Sequence, residues 1–550
     1  MHSNSASENT YDNNNGDILD MNTPGQASTF QHQASLPRLP IPALDATLAK
    51  FLSTVEPLLS KTQFEETKKI THQFQTTDGK KLQKILQKYD SDGEQARSKS
   101  NTTPSSIGSY IEEFWNDAYL APDTSVVLNL NPFFLLEDDP DAKKSKHQIR
   151  RASSLVFQSL KFAASLKNET TKPDNVKGTT LCMDQFRSLF GSCRIPNEER
   201  DEVEVDLESD HVAVLYRNQF YYFRALWPRE EGGGDVMVAV SEFDIEETLC
   251  SIVKDGNETD LCTSVEGAIG VLTTLPRKQW SKARYQLVNT SEENRSALAV
   301  IDSALFVLVL DDFLPKDIHE AAANMLHGTH IMKEDTTDEA DTEAGINNFS
   351  TNSSLHECMR TSMNHANTNG HSSTIARDYQ IGTSCNRWYD KLQLIVCSDG
   401  SAGINFEHSA IDGHTALRFA SDIFAETVVT FAKSITKSIY TKHCPIPTIV
   451  HAKVLRAAVV NGSNRNGKPK LDTNPKKLEF EIVEKLRDTI FYAETSLGDA
   501  VNADDTYILE FDKFGKNFIV GNKMSPDSLV QMSIILGYYR LYGEIVCAYE

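Results

Sequence analysis

The chain has 550 residues, enough to bury substantial cores in two domains or one large, deeply divided unit. Its formal net charge of −22 argues against nucleic-acid binding, which favours a basic surface. The nine cysteines are scattered, with no Cys-x-x-Cys pair and no metal-ligand spacing, so we expect reduced intracellular thiols and no metal site.

The first 35 residues predict a disordered tail, because they are rich in Asn, Ser and Asp and poor in bulky apolar side chains. They contain no apolar core typical of a secretory signal. They also contain no Lys or Arg before Arg38, which is untypical of a mitochondrial presequence. No apolar run in the chain approaches the roughly 18 residues that span a bilayer, so no transmembrane segment is predicted.

Helices and strands alternate along the rest of the chain, which predicts the α/β class. Apolar periodicity predicts helices over Leu44 to Gln75, Gly79 to Tyr89, Lys143 to Lys167, Phe243 to Val253 and Arg277 to Leu287. Predicted strands are His211 to Tyr216 and Gln219 to Leu226, joined as a hairpin by Arg217-Asn218, then Val236 to Val240 and the segment Ala304 to Leu310.

Two polar stretches interrupt this pattern. Residues 329–384 are rich in acidic residues, Asn, Ser and Thr and predict a disordered, solvated insertion. The histidines in and beside it are irregularly spaced and predict no metal site. Residues 460–477 predict a linker between an N-terminal lobe over residues 36–459 and a C-terminal lobe over residues 478–550.

The segment after the insertion carries the strongest signal for chemistry. Leu392 to Cys397 and Ala402 to His408 predict a hairpin, and a helical pattern begins at Thr415. His408 would then lie at a rigid strand end, where a neutral imidazole can accept a proton at physiological pH. Asp412, four residues on, could fix its surroundings or pair with a cation. The alternative is a partly buried histidine that is hydrogen-bonded for packing.

The residues around His408 resemble the choline/carnitine acyltransferase family, and the likeness runs from about Leu36 to the last residue. Within the family, Phe406-Glu407-His408-Ser409-x-x-Asp412-Gly413 is most similar to the mitochondrial carnitine palmitoyltransferase branch. Other blocks in the family order include Leu36-Pro37-Arg38-Leu39-Pro40, Trp115-Asn116-Asp117-Ala118-Tyr119-Leu120, Leu181-Cys182-Met183-Asp184-Gln185-Phe186-Arg187, Ser192-Cys193-Arg194-Ile195-Pro196 and Asn386-Arg387-Trp388-Tyr389-Asp390-Lys391.

This resemblance implies reversible transfer of an acyl group, long-chain by the branch resembled, between coenzyme A and carnitine, both of them substrates, with no further cofactor. It implies two α/β lobes like those of chloramphenicol acetyltransferase, with an active-site tunnel between them. His408 would be the general base. Asp412 would meet an arginine from further along the chain. Long-chain mitochondrial members of the family carry an apolar, membrane-contacting insert just before the Met-Asp-Gln-Phe block. The corresponding segment here, Lys167 to Thr180, is polar, so the resemblance implies at most weak peripheral membrane contact. The family is mitochondrial in this branch, while the N-terminus leaves a cytoplasmic or peroxisomal location open.

The same resemblance assigns coenzyme A binding to Lys516 and Asp527. The family's second lysine is Val520 here, and Lys523 could partly substitute for it. Tyr549 matches a carnitine-contacting position. Because family members continue past this point, the resemblance implies a truncated chain with an incomplete C-terminal lobe. A non-catalytic acyl-CoA-binding protein is therefore the alternative function. The sequence does not indicate an oligomeric state.

Overall fold

The computed structural model describes residues 28–99, 109–229, 236–258, 267–329, 331–333, 379–381, 383–443 and 472–547. The α-helices in these ranges are α1 (Leu44–Val55), α2 (Lys61–Thr76), α3 (Asp78–Lys99), α4 (Glu112–Leu120), α5 (Ala142–Ser145), α6 (Gln148–Lys167), α7 (Glu242–Glu258), α8 (Arg277–Thr290), α9 (Glu292–Ser303), α10 (Ile318–His327), α11 (Gly413–His443), α12 (Glu484–Ala503), α13 (Lys516–Gly521) and α14 (Pro526–Tyr542).

The strands are β1 (Phe133–Leu136), β2 (Asn175–Val176), β3 (Thr179–Thr180), β4 (Ser192–Ile195), β5 (Glu202–Val205), β6 (His211–Tyr216), β7 (Gln219–Arg224), β8 (Leu226–Arg229), β9 (Val236–Ala239), β10 (Val307–Leu310), β11 (Ile331–Lys333), β12 (Tyr379–Ile381), β13 (Gln393–Val396), β14 (Ala402–Asn405) and β15 (Lys476–Leu478). Seven of them form one mixed sheet in the order β1-β14-β13-β10-β6-β7-β15. The predicted α/β class is confirmed.

Strand β10 is the centre of this sheet and runs parallel to both of its neighbours, β13 and β6. All four of its residues are buried, as expected for a strand that is covered on both faces. Leu308 and Leu310 point into one apolar core, and Val307 and Val309 point into the other. Burying each such side chain contributes about 1.5–3 kcal/mol, so the two cores hold the sheet rigidly between them.

Helices cover the two faces of the sheet. On one face α6 packs against α7 and α11. On the other face α12 packs against α8 and against a 3-10 helix at Ile269–Thr274, and α8 packs against α9. The helix α11, which follows the His408 segment in the chain, therefore belongs to the layer on the α6 face of the sheet.

Both predicted hairpins form. Strands β6 and β7 are joined by Arg217 and Asn218, which have φ angles of 50° and 61°. Positive φ at both residues is what a two-residue turn needs in order to match the twist of the strands. Strands β13 and β14 are joined through Gly400, with φ of 88°, and a Cβ there would lie 2.0 Å from the carbonyl oxygen of Ser145. Gly400 is therefore required both by the turn and by the close approach of α5.

Several predicted boundaries differ from the structure. The helix predicted over Leu44 to Gln75 is two helices, because a 3-10 turn containing Pro57 separates α1 from α2. The returning strand ends at Asn405 rather than at His408. Lys476 and Lys477, at the end of the predicted linker 460–477, belong to β15, which pairs with β7. The predicted boundary at residue 478 therefore falls inside a strand of the main sheet. Most of the predicted insertion and the predicted tail up to residue 27 lie outside the described residues.

A buried carboxyl on α12 gives the fold a pH dependence. Glu494 is buried, and the thiol of Cys385 donates a hydrogen bond to its Oε1 at 3.0 Å. Burial raises the pKa of Glu494 to about 7 from 4.5. The folded protein therefore binds this proton more tightly than the unfolded chain does. The contribution of this proton to the free energy of unfolding is fully present below the unfolded pKa of 4.5. It is lost as the pH rises through the folded pKa of about 7.

We expect Glu494→Gln to raise Tm by a few degrees at about pH 8 and to change it little at about pH 5. At the higher pH the charged carboxylate costs roughly 3 kcal/mol, which glutamine removes while its amide oxygen still accepts from Cys385. Scanning fluorimetry at both pH values measures the difference. Glu484→Gln, at an exposed position of the same helix, is the control. Equal shifts at the two pH values would contradict the assignment.

Candidate active site

His408 lies three residues beyond the end of β14, in the loop that leads into α11. The backbone before it is anchored by Phe406, whose fully buried ring stacks on Phe134 with centroids 5.7 Å apart. The imidazole itself is half-buried. It meets the ring of Phe406 at 5.7 Å and the ring of Tyr119 at 5.5 Å, both edge to face. Aromatic contacts on two sides therefore limit how the imidazole can rotate.

One hydrogen bond fixes the chemistry of this imidazole. Its Nδ1 lies 2.8 Å from the carbonyl oxygen of Ile411. A carbonyl can only accept, so Nδ1 carries the proton and donates it. In the neutral ring the other nitrogen, Nε2, then holds a lone pair and can accept a proton. The backbone thus selects the tautomer in which Nε2 can accept a proton, as the predicted role of general base requires.

Asp412 caps the N-terminus of α11. Its Oδ1 accepts hydrogen bonds from the backbone N–H groups of His414 at 2.9 Å and Thr415 at 3.1 Å. Such N–H groups have no partner within their helix, and a carboxylate at this position satisfies them. Within the described ranges Asp412 forms no ion pair with an arginine. The predicted arginine partner stays a prediction.

Arg194 contacts Glu407, the residue before His408, and Tyr119, whose ring touches the imidazole. Its Nη1 donates to Oε1 of Glu407 at 3.0 Å, and its Nη2 donates to the carbonyl oxygen of Tyr119 at 2.9 Å. Glu407 precedes His408 in the chain, and its Oε2 accepts from the backbone N–H of Ser409 at 3.0 Å. Arg194 is 2% exposed and Glu407 is 5% exposed. The loop carrying the imidazole is thus tied to a buried guanidinium.

The guanidinium is itself held by a chain of buried charges. Arg194 Nε donates to Asp201 at 2.6 Å, and Asp201 also accepts from Arg277. Arg277 Nη1 donates to Asp390 at 2.8 Å, and the indole N–H of Trp280 donates to the same carboxylate at 2.7 Å. Burial raises the pKa of Asp390, although Arg277 and Trp280 oppose the shift. Buried ion pairs of this kind persist only when their members remain hydrogen-bonded.

The residues predicted to bind coenzyme A lie on separate elements from His408. Lys516 is the first residue of α13, Lys523 follows that helix, and Asp527 lies in the first turn of α14. All three are exposed, and α13 packs against α14. Val520, where the sequence resemblance predicts a lysine, is also exposed. Tyr549 lies outside the described residues.

Two further features concern metal binding and membrane spanning in the described residues. The residues that the structure describes hold no group of three or more His, Cys, Asp or Glu side chains that could ligate a metal ion. Among the described helices, none combines the length and apolar character that crossing a bilayer requires.

Comparison with known proteins identifies the family. The choline/carnitine O-acyltransferase family model matches residues 39–550. The chain belongs to this family. This match spans most of the chain and includes every candidate residue named above.

Three relatives show what this family member is similar to. A Saccharomyces cerevisiae protein named "Putative mitochondrial carnitine O-acetyltransferase" is 34% identical over 537 residues, which cover 94% of this chain and 70% of the relative. The mitochondrial carnitine O-palmitoyltransferase 2 of Homo sapiens is 27% identical over 554 residues, covering 95% and 68%. The carnitine O-acetyltransferase of Rattus norvegicus is 26% identical over 533 residues, covering 94% and 68%.

The sequence predicted His408 as a candidate base but gave no role to the residues that hold its loop. Arg194 and Tyr119 appeared only as letters in family blocks, and Glu407 only as the neighbour of His408. Arg194 lies 213 positions from Glu407 in the chain. The available signal was the single charge of Arg194 beside Ile195 and that of Glu407 beside Phe406, because a charge in a buried segment needs a partner.

Proposed function

We propose that this family member is a carnitine O-acyltransferase that moves an acyl group reversibly between coenzyme A and carnitine, with His408 as general base. The observation that carries the proposal is the hydrogen bond from His408 Nδ1 to Ile411, which leaves the lone pair on Nε2. A base with this tautomer fits a reaction in which an alcohol must lose its proton.

The proposed step conserves atoms and charge. Nε2 of His408 takes the proton of the carnitine hydroxyl as that oxygen forms a bond to the thioester carbonyl carbon. The C–S bond then breaks, the electron pair leaves with sulfur, and the imidazolium returns the proton to the thiolate of coenzyme A. No covalent enzyme intermediate is needed, because both substrates are held at one base. The reverse reaction uses the same atoms.

The proposed coenzyme A contacts are Lys516, Lys523 and Asp527. An exposed lysine ammonium suits the phosphates of coenzyme A, which are compact and negatively charged. We expect Lys516→Ala to raise KM for acyl-CoA several-fold and to leave kcat nearly unchanged, because phosphate contacts act equally in the ground and transition states. Lys513→Ala, on a nearby exposed lysine that pairs with Asp512, is the matched control. The proposed carnitine contact is Tyr549.

The acyl chain that we propose is long, as the sequence resemblance implies. Relatives named palmitoyltransferases support this, whereas the relative at 34% identity carries an acetyltransferase name. Pocket volume decides such preferences, since each methylene contributes about 0.8 kcal/mol.

The cellular location that we propose is mitochondrial. Relatives named as mitochondrial support it, and co-localisation of a tagged protein with a mitochondrial marker tests it.

The experiment that tests the function is a transfer assay with acetyl-, octanoyl- and palmitoyl-CoA, each with carnitine and with choline as acceptors. We expect acylcarnitine, with the highest kcat/KM for palmitoyl-CoA. Acetylcarnitine as the preferred product would overturn the long-chain assignment alone. Acylcholine as the main product would overturn the acceptor. Tight acyl-CoA binding with no product from any pair would favour the non-catalytic alternative.

A further inference from the structure

The peptide unit between Ile411 and Asp412 is held from both ends. Its carbonyl oxygen accepts from Nδ1 of His408 at 2.8 Å. Its N–H, which belongs to Asp412, donates to Oε1 of Gln185 at 2.9 Å. Because a peptide unit is planar, fixing the direction of the N–H also fixes the direction of the carbonyl. The side chain of Gln185 is therefore connected to the imidazole of His408 through two hydrogen bonds and one peptide.

The amide oxygen of Gln185 is itself well supported. It also accepts from the hydroxyl of Thr415 at 2.9 Å, and Thr415 is a buried residue of the first turn of α11. Gln185 sits on a 3-10 helix, Asp184–Arg187, whose next residue, Phe186, is 3% exposed and packs on the ring of Phe162. The acceptor is thus anchored by a core aromatic on one side and by α11 on the other.

We propose that Gln185 is a positioning residue for the general base. By holding the N–H of Asp412, it keeps the Ile411 carbonyl aimed at Nδ1 and so keeps the lone pair of His408 on Nε2. Hydrogen bonds in series also polarise one another, which strengthens the bond at Nδ1. This inference rests on the proposed role of His408. Gln185 itself is exposed and uncharged, so removing its amide leaves no buried charge, and the buried side chain that loses an acceptor is the hydroxyl of Thr415.

The kinetic test compares Gln185→Leu with Gln185→Glu. Leucine removes the acceptor, and we expect kcat to fall about 10–100-fold, the range known for partners that orient metal-ligating histidines, with both KM values within about twofold. Glutamate keeps an oxygen acceptor and is expected to restore most of kcat. Gln279→Leu makes the same change at an exposed position of α8 and should leave kcat unchanged. Leucine at 185 with full kcat would overturn the proposal.

A second measurement reads the tautomer without using activity. In protein labelled with 15N-histidine, at about pH 8.5, the His408 signals are assigned by their loss in His408→Asn. We expect the wild type to show protonated Nδ1 and unprotonated Nε2, and Gln185→Leu to show a mixture of both tautomers. An unchanged tautomer in Gln185→Leu would overturn the positioning role. Full turnover in His408→Asn would instead overturn the role of His408 as base. The tautomer data would still decide whether Gln185 positions the imidazole through the Ile411–Asp412 peptide.

Discussion

Replacing His408 with asparagine is expected to lower kcat by about 10³-fold, the middle of the range contributed by a positioned general base. The asparagine amide can still donate to the Ile411 carbonyl, which now accepts from Nδ1 at 2.8 Å. The loop therefore keeps its hydrogen bond and loses only the lone pair of Nε2. Because that lone pair acts in the chemical step, the KM values should change little. Steady-state kinetics with acyl-CoA and carnitine measure both quantities.

His414→Asn is the matched control for this substitution. His414 lies six residues away in α11, is exposed, and faces the carboxylate of Asp174 at 3.5 Å rather than the candidate site. We expect its kcat to remain within about twofold of the wild type, because His414 is exposed and the buried carboxylate of Asp174 keeps Arg418 as its charged partner. A His408→Asn enzyme that retains half of the wild-type kcat would remove His408 from the base role. Acyl-CoA binding measured by calorimetry should be nearly intact in both variants.

Local sequence signals predicted the part of the site that is local in the chain. The apolar runs on either side of Ser398 to Ser401 predicted the hairpin, and Asp399 completes the turn by accepting from the N–H of Ser401 at 2.9 Å. The position of His408 near the end of that hairpin follows directly. The helix after it was predicted from Thr415 and begins at Gly413, because Asp412 caps it. Such features depend on residues within one turn or one strand.

The non-local part of the site could not be predicted in the same way. Tyr119 lies on α4, Arg194 on β4 of a separate two-stranded sheet, and His408 beyond β14 of the main sheet, so they become neighbours only in the folded protein. Nothing in the spacing of Arg194 and Glu407 indicates their contact. The C-terminal residues Lys516, Lys523 and Asp527 are exposed on or beside α13 and α14, and their part in coenzyme A binding stays a prediction.

Replacing Arg194 with methionine is expected to lower both stability and kcat. The substitution leaves the buried carboxylates of Glu407 and Asp201 without one of their charged partners. Removing one member of a buried ion pair costs about 3–5 kcal/mol, because the remaining charge stays away from water. Asp201 keeps Arg277, so the larger loss falls at Glu407, the residue next to His408. Thermal unfolding and steady-state kinetics on the folded protein measure the two effects.

Arg151→Met separates the stability effect from the effect on the site. Arg151 is as buried as Arg194 and pairs with Asp139 at 3.3 Å, on elements that do not carry His408. We expect a comparable loss of Tm with kcat unchanged in the fraction that folds. If Arg151→Met and Arg194→Met lose kcat equally, the loss reflects global destabilisation rather than the loop at His408.

The double substitution Arg194→Met with Glu407→Gln tests where the cost arises. Glutamine removes the unpaired charge at position 407 while its oxygen can still accept from the N–H of Ser409. The double variant should therefore recover a large part of the stability lost in Arg194→Met, an interaction energy of about 1–3 kcal/mol. It should not recover kcat fully, because Tyr119 loses the guanidinium that holds its carbonyl and so its ring is less firmly held against His408. A double variant no more stable than Arg194→Met would place the cost at Asp201 instead.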